Sequence, residues 1–454
     1  MQIEQYNIVF VLTDQWRAQS CGYAGDKNVK TPNLDKFSKE SINFSNAISG
    51  CPASTPYRGS LMSGQRPLTN GLFVNNVGLK PKGPTIAQSF LDYGYNTALI
   101  GKFHVDGKGR ESYIPPERHL GFQYWKAVEC CHDYNNSTYF ASDYKDKLKW
   151  EGYDAIAQTE EACEFMIQCN GTNPFFLMLS FGPPHDPYDS APQEFKKQNK
   201  AEQIELRKNV PVAVADKAKQ DIAGYNSHIQ ALDTCFGNLL NALDVLGLKE
   251  NTIVVFTSTH GDMLGSQGHE FKQKPWVESM HIPCLMRIPG QAGKEIADAY
   301  IDAPDIMPTL LSLCGFDIPE EVEGVNYADY IKGGENPSDS VGIGALYQPF
   351  GQFNKNNKYG TRKEYGREWR SIETHEYMYA HTLEGPWLLY NKEKDPFQIN
   401  NLVNEPEFAH IVEDMKQKLF EKLKERNDDF QQGKVYLKQW GYKVDQTGSV
   451  PFSL

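Results

Sequence analysis

No stretch of this 454-residue sequence is apolar for the ~20 residues that a membrane-spanning helix needs, so no such helix is expected. Basic charge is in deficit. Lys and Arg number 46 against 58 Asp and Glu, a net charge of -12. That balance argues against a nucleic-acid partner, which would require Lys and Arg gathered on one face. An anionic substrate remains compatible, provided a local cluster of Lys, Arg and metal charge is set against the global field. The nine cysteines (21, 51, 130, 131, 163, 169, 235, 284 and 314) are odd in number and scattered. None forms a C-x-x-C pair or a Cys/His spacing of the kind that holds zinc. Adjacent Cys130 and Cys131 read as packing or loop residues. In so long a chain this pattern predicts thiols in a reducing compartment and no disulfide framework. The opening, MQIEQYNIVFVL, lacks the basic segment and small-residue cleavage site of a secretory leader. It is predicted to run into the first strand. The expected location is the cytoplasm, or the periplasm if a leader has been removed. Internal repeats, coiled coils and low-complexity tracts are also missing.

Present instead is a recurrent pattern of short apolar runs. A chain of this length favours one large domain plus a smaller one. Residues 7–12, 95–100, 174–181, 252–257 and 282–288 are continuous apolar segments with polar or glycine-containing ends, which suits strands buried on both faces of a mostly parallel sheet. Between them lie helical stretches. Residues 226–246 carry Ile229, Leu232, Phe236, Leu239, Leu240 and Leu243 close to the helical period. Residues 308–314 open with Pro308, favoured at a first helical position, and stop before Gly315. Strands alternating with helices predict a doubly wound α/β architecture. From residue 333 the composition changes. Residues 333–340 and 351–360 read as loops, 369–373 and 376–381 as strands, and 408–426 as a charged helix with Ile411, Met415, Leu419 and Leu423 on one side. The chain is therefore divided into a large domain, 1–340, and a smaller α+β domain, 341–454.

In an open α/β sheet ligands bind beyond the carboxyl ends of the strands, and the residues following these runs are chemically rich. The first run leads to Asp14 and Gln15, the second to Lys102 and His104, the third to His185 and Asp186, and the fourth to Thr259, His260 and Asp262. Each alone has an ordinary explanation: Asp14 as a helix cap, Lys102 as a solvated lysine, His185 as a loop histidine between prolines. All of them at one set of strand ends is harder to dismiss. A further segment, 51–64, has Ser54, Pro56, Arg58, Leu61, Ser63 and Gly64 at fixed intervals. Structurally it reads as a helix capped by Ser54 or Thr55 with Pro56 at its start, which places residue 54 where free N–H groups and the dipole favour an anion.

This segment resembles the sulfatase signature, in which a Cys or Ser is followed by x-P-x-R and then x-x-L/M-x-T/S-G. Counting back from Arg58 places the reactive position at Ser54; Cys51 lies three residues too early. The resemblance extends over nearly the whole chain. It includes the first strand and metal loop at 7–14, the segment 101–104 with Phe103 in place of the family's tryptophan, 180–187, 256–279 with Lys272 at the sulfate-binding lysine, and the C-terminal part. It implies the alkaline-phosphatase-like fold: a doubly wound, mostly parallel sheet with a smaller C-terminal α+β domain. It also implies that Ser54 is oxidised to formylglycine by a maturation enzyme. The serine form of the motif belongs with a radical enzyme of anaerobic bacteria, so bacterial origin is expected. Unmodified serine would be a weak nucleophile for this job.

By resemblance the hydrated aldehyde attacks sulfur with one hydroxyl and expels sulfate with the other. A divalent cation, usually calcium, assists. Arg58 holds the diol or the cation site, Lys102 and Lys272 grip sulfate oxygens, His104 acts as base and His185 protonates the leaving oxygen. The metal ligands would be Asp14, Gln15, Ser54 and His260. This set departs from the family pattern, because Gln15 and Thr259 stand where carboxylates are usual, and calcium affinity depends on ligand charge. The expected substrate is a sulfated small molecule or glycan, with residues 124–139 and 347–370 as candidate sugar-binding segments or ordinary aromatic packing. Two rival readings are a phosphoester or phosphonate ester hydrolase of the same superfamily and an inactive binder of sulfated glycans.

Overall fold

The side chains of the first strand, β1 (Asn7–Asp14), alternate between two cores. Ile8, Phe10 and Leu12 enter one hydrophobic cluster, and Val9 and Val11 enter another. A strand buried on both faces needs helices on both sides, and that requirement organises the molecule. The structure is a computed structural model describing residues 5–142, 144–351 and 367–453. After β1 come β2 (Ile42–Ala47), β3 (Asn96–Lys102), β4 (Tyr124–Val128), β5 (Thr138–Ala141), β6 (Tyr144–Lys149), β7 (Phe175–Pro184), β8 (Thr252–Ser258), β9 (Cys284–Arg287) and β10 (Lys294–Ile301). They form a ten-stranded sheet in the order β10-β2-β9-β8-β1-β7-β3-β4-β5-β6. Its centre, β8-β1-β7-β3-β4, is parallel throughout, so the carboxyl ends of these strands share one edge. The flanks are mixed: β9 runs antiparallel to both its neighbours, and β4-β5-β6 is antiparallel.

One face is covered by α1 (Ser54–Ser63) and α4 (Ala303–Leu313), through Tyr57, Leu61, Met62, Ile306, Met307 and Leu310. The other is covered by α2 (Asp154–Cys169) and α3 (Ala215–Val245), through Phe165, Met166, Ile229, Leu232, Phe236 and Leu239. The doubly wound arrangement expected from the alternation is therefore present. Two helix boundaries differ from the sequence reading. Helix α3 begins at Ala215 and not at 226, because its first turns bury only Ala218, Ile222 and Ala223 and so lack a strong apolar period. Helix α4 begins at Ala303, and Pro308 lies inside it. Asp302 and Asp305 form a reciprocal capping box, and Pro304 is the proline of the first turn, so the cap outranks Pro308 as a start signal. Segment 124–139 is likewise not wholly a loop, since it begins with β4 and ends in β5.

A second, antiparallel sheet consists of β11 (Gly342–Leu346), β12 (Trp369–Glu373), β13 (Tyr377–Thr382) and β14 (Gly385–Asn391) in that order. Helix α5 (Ala409–Glu425) packs Met415, Leu419 and Leu423 onto Ile372, Tyr379 and Leu389 of one face. The chain then returns to the first core, where Tyr436, Leu437 and Val450 are buried. Within the predicted substrate stretch 347–370, and the predicted loop 351–360, residues 352–366 lie outside the described residues. All nine cysteines are unpaired, and among the described residues no helix is long and apolar enough to cross a membrane.

The second sheet braces the loop that follows β8. Trp369 Nε1 donates to the Gln273 carbonyl at 3.1 Å, and Gln273 Nε2 donates to the Phe350 carbonyl at 2.7 Å. Glu373, at the end of β12, meets His281 at 3.0 Å and Lys392 at 3.2 Å while fully buried. Burial alone would raise its pKa, but His281 and Lys392 pull it from about 4.5 down to about 2. A carboxylate with a depressed folded pKa stabilises the fold above its unfolded value, and the contribution is lost as pH falls through the folded one. Thermal stability should therefore drop between about pH 4.5 and about 2. Glu373→Gln should be less stable at pH 7 and show a flatter acid limb in melting curves; an unchanged acid limb would assign the acid sensitivity elsewhere.

Candidate functional site

Asp14, the last residue of β1, is fully buried and lies at the centre of a hydrogen-bonded cluster. Its Oδ1 accepts from Ser54 Oγ at 2.9 Å and Thr259 Oγ1 at 2.7 Å, and lies 3.3 Å from His260 Nε2. Its Oδ2 meets Lys102 Nζ at 2.5 Å and Arg58 Nη2 at 3.4 Å. Burial by itself would raise the Asp14 pKa. Lys102 and Arg58 outweigh it and hold the carboxyl well below its usual range, so Asp14 is an anion inside the protein. Arg58 is anchored further by donating from Nη1 to the Lys102 carbonyl at 2.9 Å and to Ser180 Oγ at 2.7 Å. Next to Lys102 the strands approach closely: a Cβ on Gly101 (φ +102°) would lie 2.2 Å from the Ser180 carbonyl oxygen, which leaves only glycine there.

Ser54 is the first residue of α1, and Ala53 is the N-cap. The sequence reading gave capping to Ser54 or Thr55; neither caps by its side chain. Thr55 Oγ1 donates to the His104 carbonyl at 3.0 Å, and the Ser54 hydroxyl turns toward Asp14. Freed from the cap, Ser54 Oγ also lies 3.1 Å from His260 Nε2. His260 Nδ1 faces the Gly261 carbonyl at 2.9 Å. A carbonyl can only accept, so Nδ1 carries the proton and Nε2 presents a lone pair. Burial, then Lys272, lowers the His260 pKa to about 4, which keeps it neutral.

A second cluster follows from Gln15, held at φ +69°. Its Oε1 accepts from Lys272 Nζ at 2.7 Å, and its Nε2 donates to Asp262 Oδ2 at 2.7 Å and Tyr188 Oη at 3.2 Å. Lys272 Nζ also donates to His185 Nε2 at 2.7 Å, while His185 Nδ1 faces the Asp186 carbonyl at 2.9 Å. The pKa of His185 is well below its usual value because of burial, then Lys272 and His132. His104 is buried at φ +58°. Its Nδ1 has no hydrogen-bond partner among the described residues, and burial, then Lys102 and Arg58, keep the ring neutral. Asp14, Ser54, Arg58, Lys102 and His260 thus meet directly. Gln15, His185 and Lys272 form an adjoining group, and His104 is attached through its backbone.

The acceptors around Ser54 fit a cation. Asp14 Oδ1, His260 Nε2 and Ser54 Oγ converge within 2.9–3.3 Å of one another, and the Ser54 hydroxyl has only one proton to offer the other two. Gln15 can add an amide oxygen. Among the described residues no three His, Cys, Asp or Glu gather at one point, so the donor set is poor in charge. Thr259 spends its hydroxyl proton on Asp14 and acts as a brace. Asp262 is fully occupied by donors: Gln15, Tyr188 and the Leu264 and Phe271 N–H groups.

Comparison with known proteins identifies the family. The profile described as "Sulfatase" matches residues 6–316, and one described as "N-sulphoglucosamine sulphohydrolase, C-terminal" matches 266–425. The chain belongs to the sulfatase family. This sulfatase is 40% identical to the ulvan-active sulfatase of Formosa agariphila, over 96% of this chain and 84% of that one. It is 31% identical to an endo-4-O-sulfatase of Bacteroides thetaiotaomicron, over 96% and 95% respectively. A solved structure from work on glycosaminoglycan metabolism by Bacteroides thetaiotaomicron superposes with a TM-score of 0.82 at 29% identity, covering 96% of this chain and 99% of that one.

Several residues here were not singled out from the sequence as site residues. Ser180 locks Arg58 to β3, Tyr188 and Tyr225 hold Gln15, and His132 lies against His185. Tyr188 left a usable signal, three positions past His185, and His132 lies in segment 124–139, named above as a candidate sugar-binding stretch. Removing one fixed charge donor typically costs ~3–4 kcal/mol of transition-state stabilisation. Lys102→Ala and Lys272→Ala should each lower kcat by orders of magnitude; rates within a few-fold of the parent would show both lysines to be structural. Cys51, packed in the first core, should tolerate replacement by Ala with turnover nearly unchanged.

Proposed function

We propose that this sulfatase removes sulfate from a carbohydrate sulfate ester through a formylglycine formed from Ser54, with a divalent cation, calcium by preference, as cofactor. The observation that carries the reading is the placement of Ser54. Its Oγ stands at the start of a buried helix, released from capping and held between Asp14 and His260. The modified residue, once hydrated, supplies one hydroxyl to attack sulfur and a second to expel sulfate, which a serine cannot do. The cation would be held by Asp14, Gln15, His260 and residue 54, and its chemistry would be to polarise a sulfate oxygen and acidify the nucleophile.

The remaining roles fall to this chain's own groups. Lys102 and Lys272 present fixed positive charge to the sulfate oxygens. Arg58 keeps Asp14 ionised and aligned. His104, neutral and with an unengaged Nδ1, takes the proton from the hydroxyl whose collapse releases sulfate. His185, its charged form favoured once an anionic ester lies in the site, gives a proton to the departing oxygen, a step that matters most for a sugar alkoxide. A carbohydrate substrate is supported by the relatives named for ulvan and for 4-O-sulfate cleavage. A catalytic part of 1–340 and a C-terminal part of 341–454 are supported by the second sheet starting at Gly342; the end of the chain rejoins the first core.

Active protein should carry residue 54 lighter by ~2 Da in peptide mass spectrometry, as an aldehyde requires, and should cleave phenyl sulfate faster than phenyl phosphate. Full activity with Ser54 unmodified would sink the mechanism. Exhaustive chelation should abolish turnover. Thr259→Asp, by adding a carboxylate, should lower the melting temperature of metal-free protein and enlarge the rise on adding calcium. Equal calcium-induced shifts in parent and variant would mean that the cation does not sit beside Thr259.

A further inference from the structure

The turn between β4 and β5 puts a second imidazole beside His185 that the chemistry above leaves unused. The ring of His132 faces that of His185, with centroids 4.4 Å apart and planes inclined by 32°. Tyr134, two residues on, donates its phenol proton to the His185 carbonyl at 2.9 Å. One short segment therefore flanks His185 from two directions. His132 is itself oriented: its Nε2 lies 3.3 Å from the Cys130 sulfur, to which Arg110 donates at 3.4 Å. A thiol that accepts from a guanidinium can donate its S–H to the imidazole as a hydrogen bond. Nε2 is then an acceptor and Nδ1 carries the N–H. Nδ1 makes no hydrogen bond among the described residues, and the side chain is partly exposed while His185 is buried.

We infer that His132 is a specificity-determining residue that contacts the alcohol half of the substrate. This rests on His185 being the group that protonates the leaving oxygen. A ring lying against His185 must then border the departing sugar and not the sulfate. Its Nδ1–H suits a sugar hydroxyl near the scissile ester. An aryl leaving group offers no such hydroxyl, so the contact discriminates between esters that share the same sulfate chemistry.

The experiment compares 4-nitrophenyl sulfate with whichever sulfated mono- or oligosaccharide the parent cleaves fastest, using full-length protein with residue 54 oxidised. His132→Ala should raise KM for the sugar sulfate about tenfold, as expected for one lost hydrogen bond, and raise KM for the aryl ester, whose leaving group offers no hydroxyl, by less than about threefold, whatever it does to kcat through His185. His132→Asn, whose amide replaces Nδ1, should restore most of the sugar KM. His132→Gln, whose amide replaces Nε2 and keeps the Cys130 contact, should not. The inference is overturned if KM rises in proportion for the two esters, if neither KM changes, or if the Gln variant binds sugar sulfate as well as the parent. Should His132→Ala fail to fold, the Asn and Gln pair decides alone. A parent enzyme that cleaves neither ester would instead overturn the sulfatase reading itself.

Discussion

A single buried carboxylate, Asp14, sets the terms for the site. Placing an anion in the interior is costly unless it is paired and hydrogen-bonded. Here Lys102, Arg58, Ser54 and Thr259 all turn toward it. These partners come from strands β3 and β8 and from helix α1. The same contacts that keep Asp14 ionised therefore fix the distances among the reactive groups. Arg58, Lys102 and Lys272 bring three positive groups to this end of β1, among the carboxylates of Asp14, Asp186 and Asp262, so an anionic ester is held by local contacts with cations and not by net charge.

The sheet makes this convergence possible. With β8, β1, β7 and β3 parallel and adjacent, everything just past their ends is within reach of residue 54. Gly101 permits β3 to lie against β7 where Arg58 bonds to Ser180. Lys272 is the exception, because it sits in a loop well beyond β8. That loop is steadied by the second sheet through Trp369 and Gln273. The C-terminal part of the chain thereby supports a loop, and a lysine, that it does not contain.

Much of this was legible in the linear sequence. Five apolar runs marked strands, and chemistry-bearing residues after four of them marked an edge. The Pro56 and Arg58 offsets distinguished Ser54 from Cys51 through the resemblance to the sulfatase signature. The Asp302–Asp305 box was also present in the sequence; Pro308 drew attention from it because proline is a strong local signal and a cap is a paired one.

The sequence by itself marked the central strands and the parallel centre, and through the family resemblance a candidate set of site residues, since periodicity, turn chemistry and motif spacing are properties of neighbouring residues. Only the tertiary structure decided how the set divides. It joined Asp14 to Thr259 across 245 positions and Gln15 to Lys272 across 257, made Thr259 a brace and Asp262 a holder of Gln15, and laid His132 on His185. Those outcomes depend on which donors are left without water once the strand ends are buried together, and no local pattern records that.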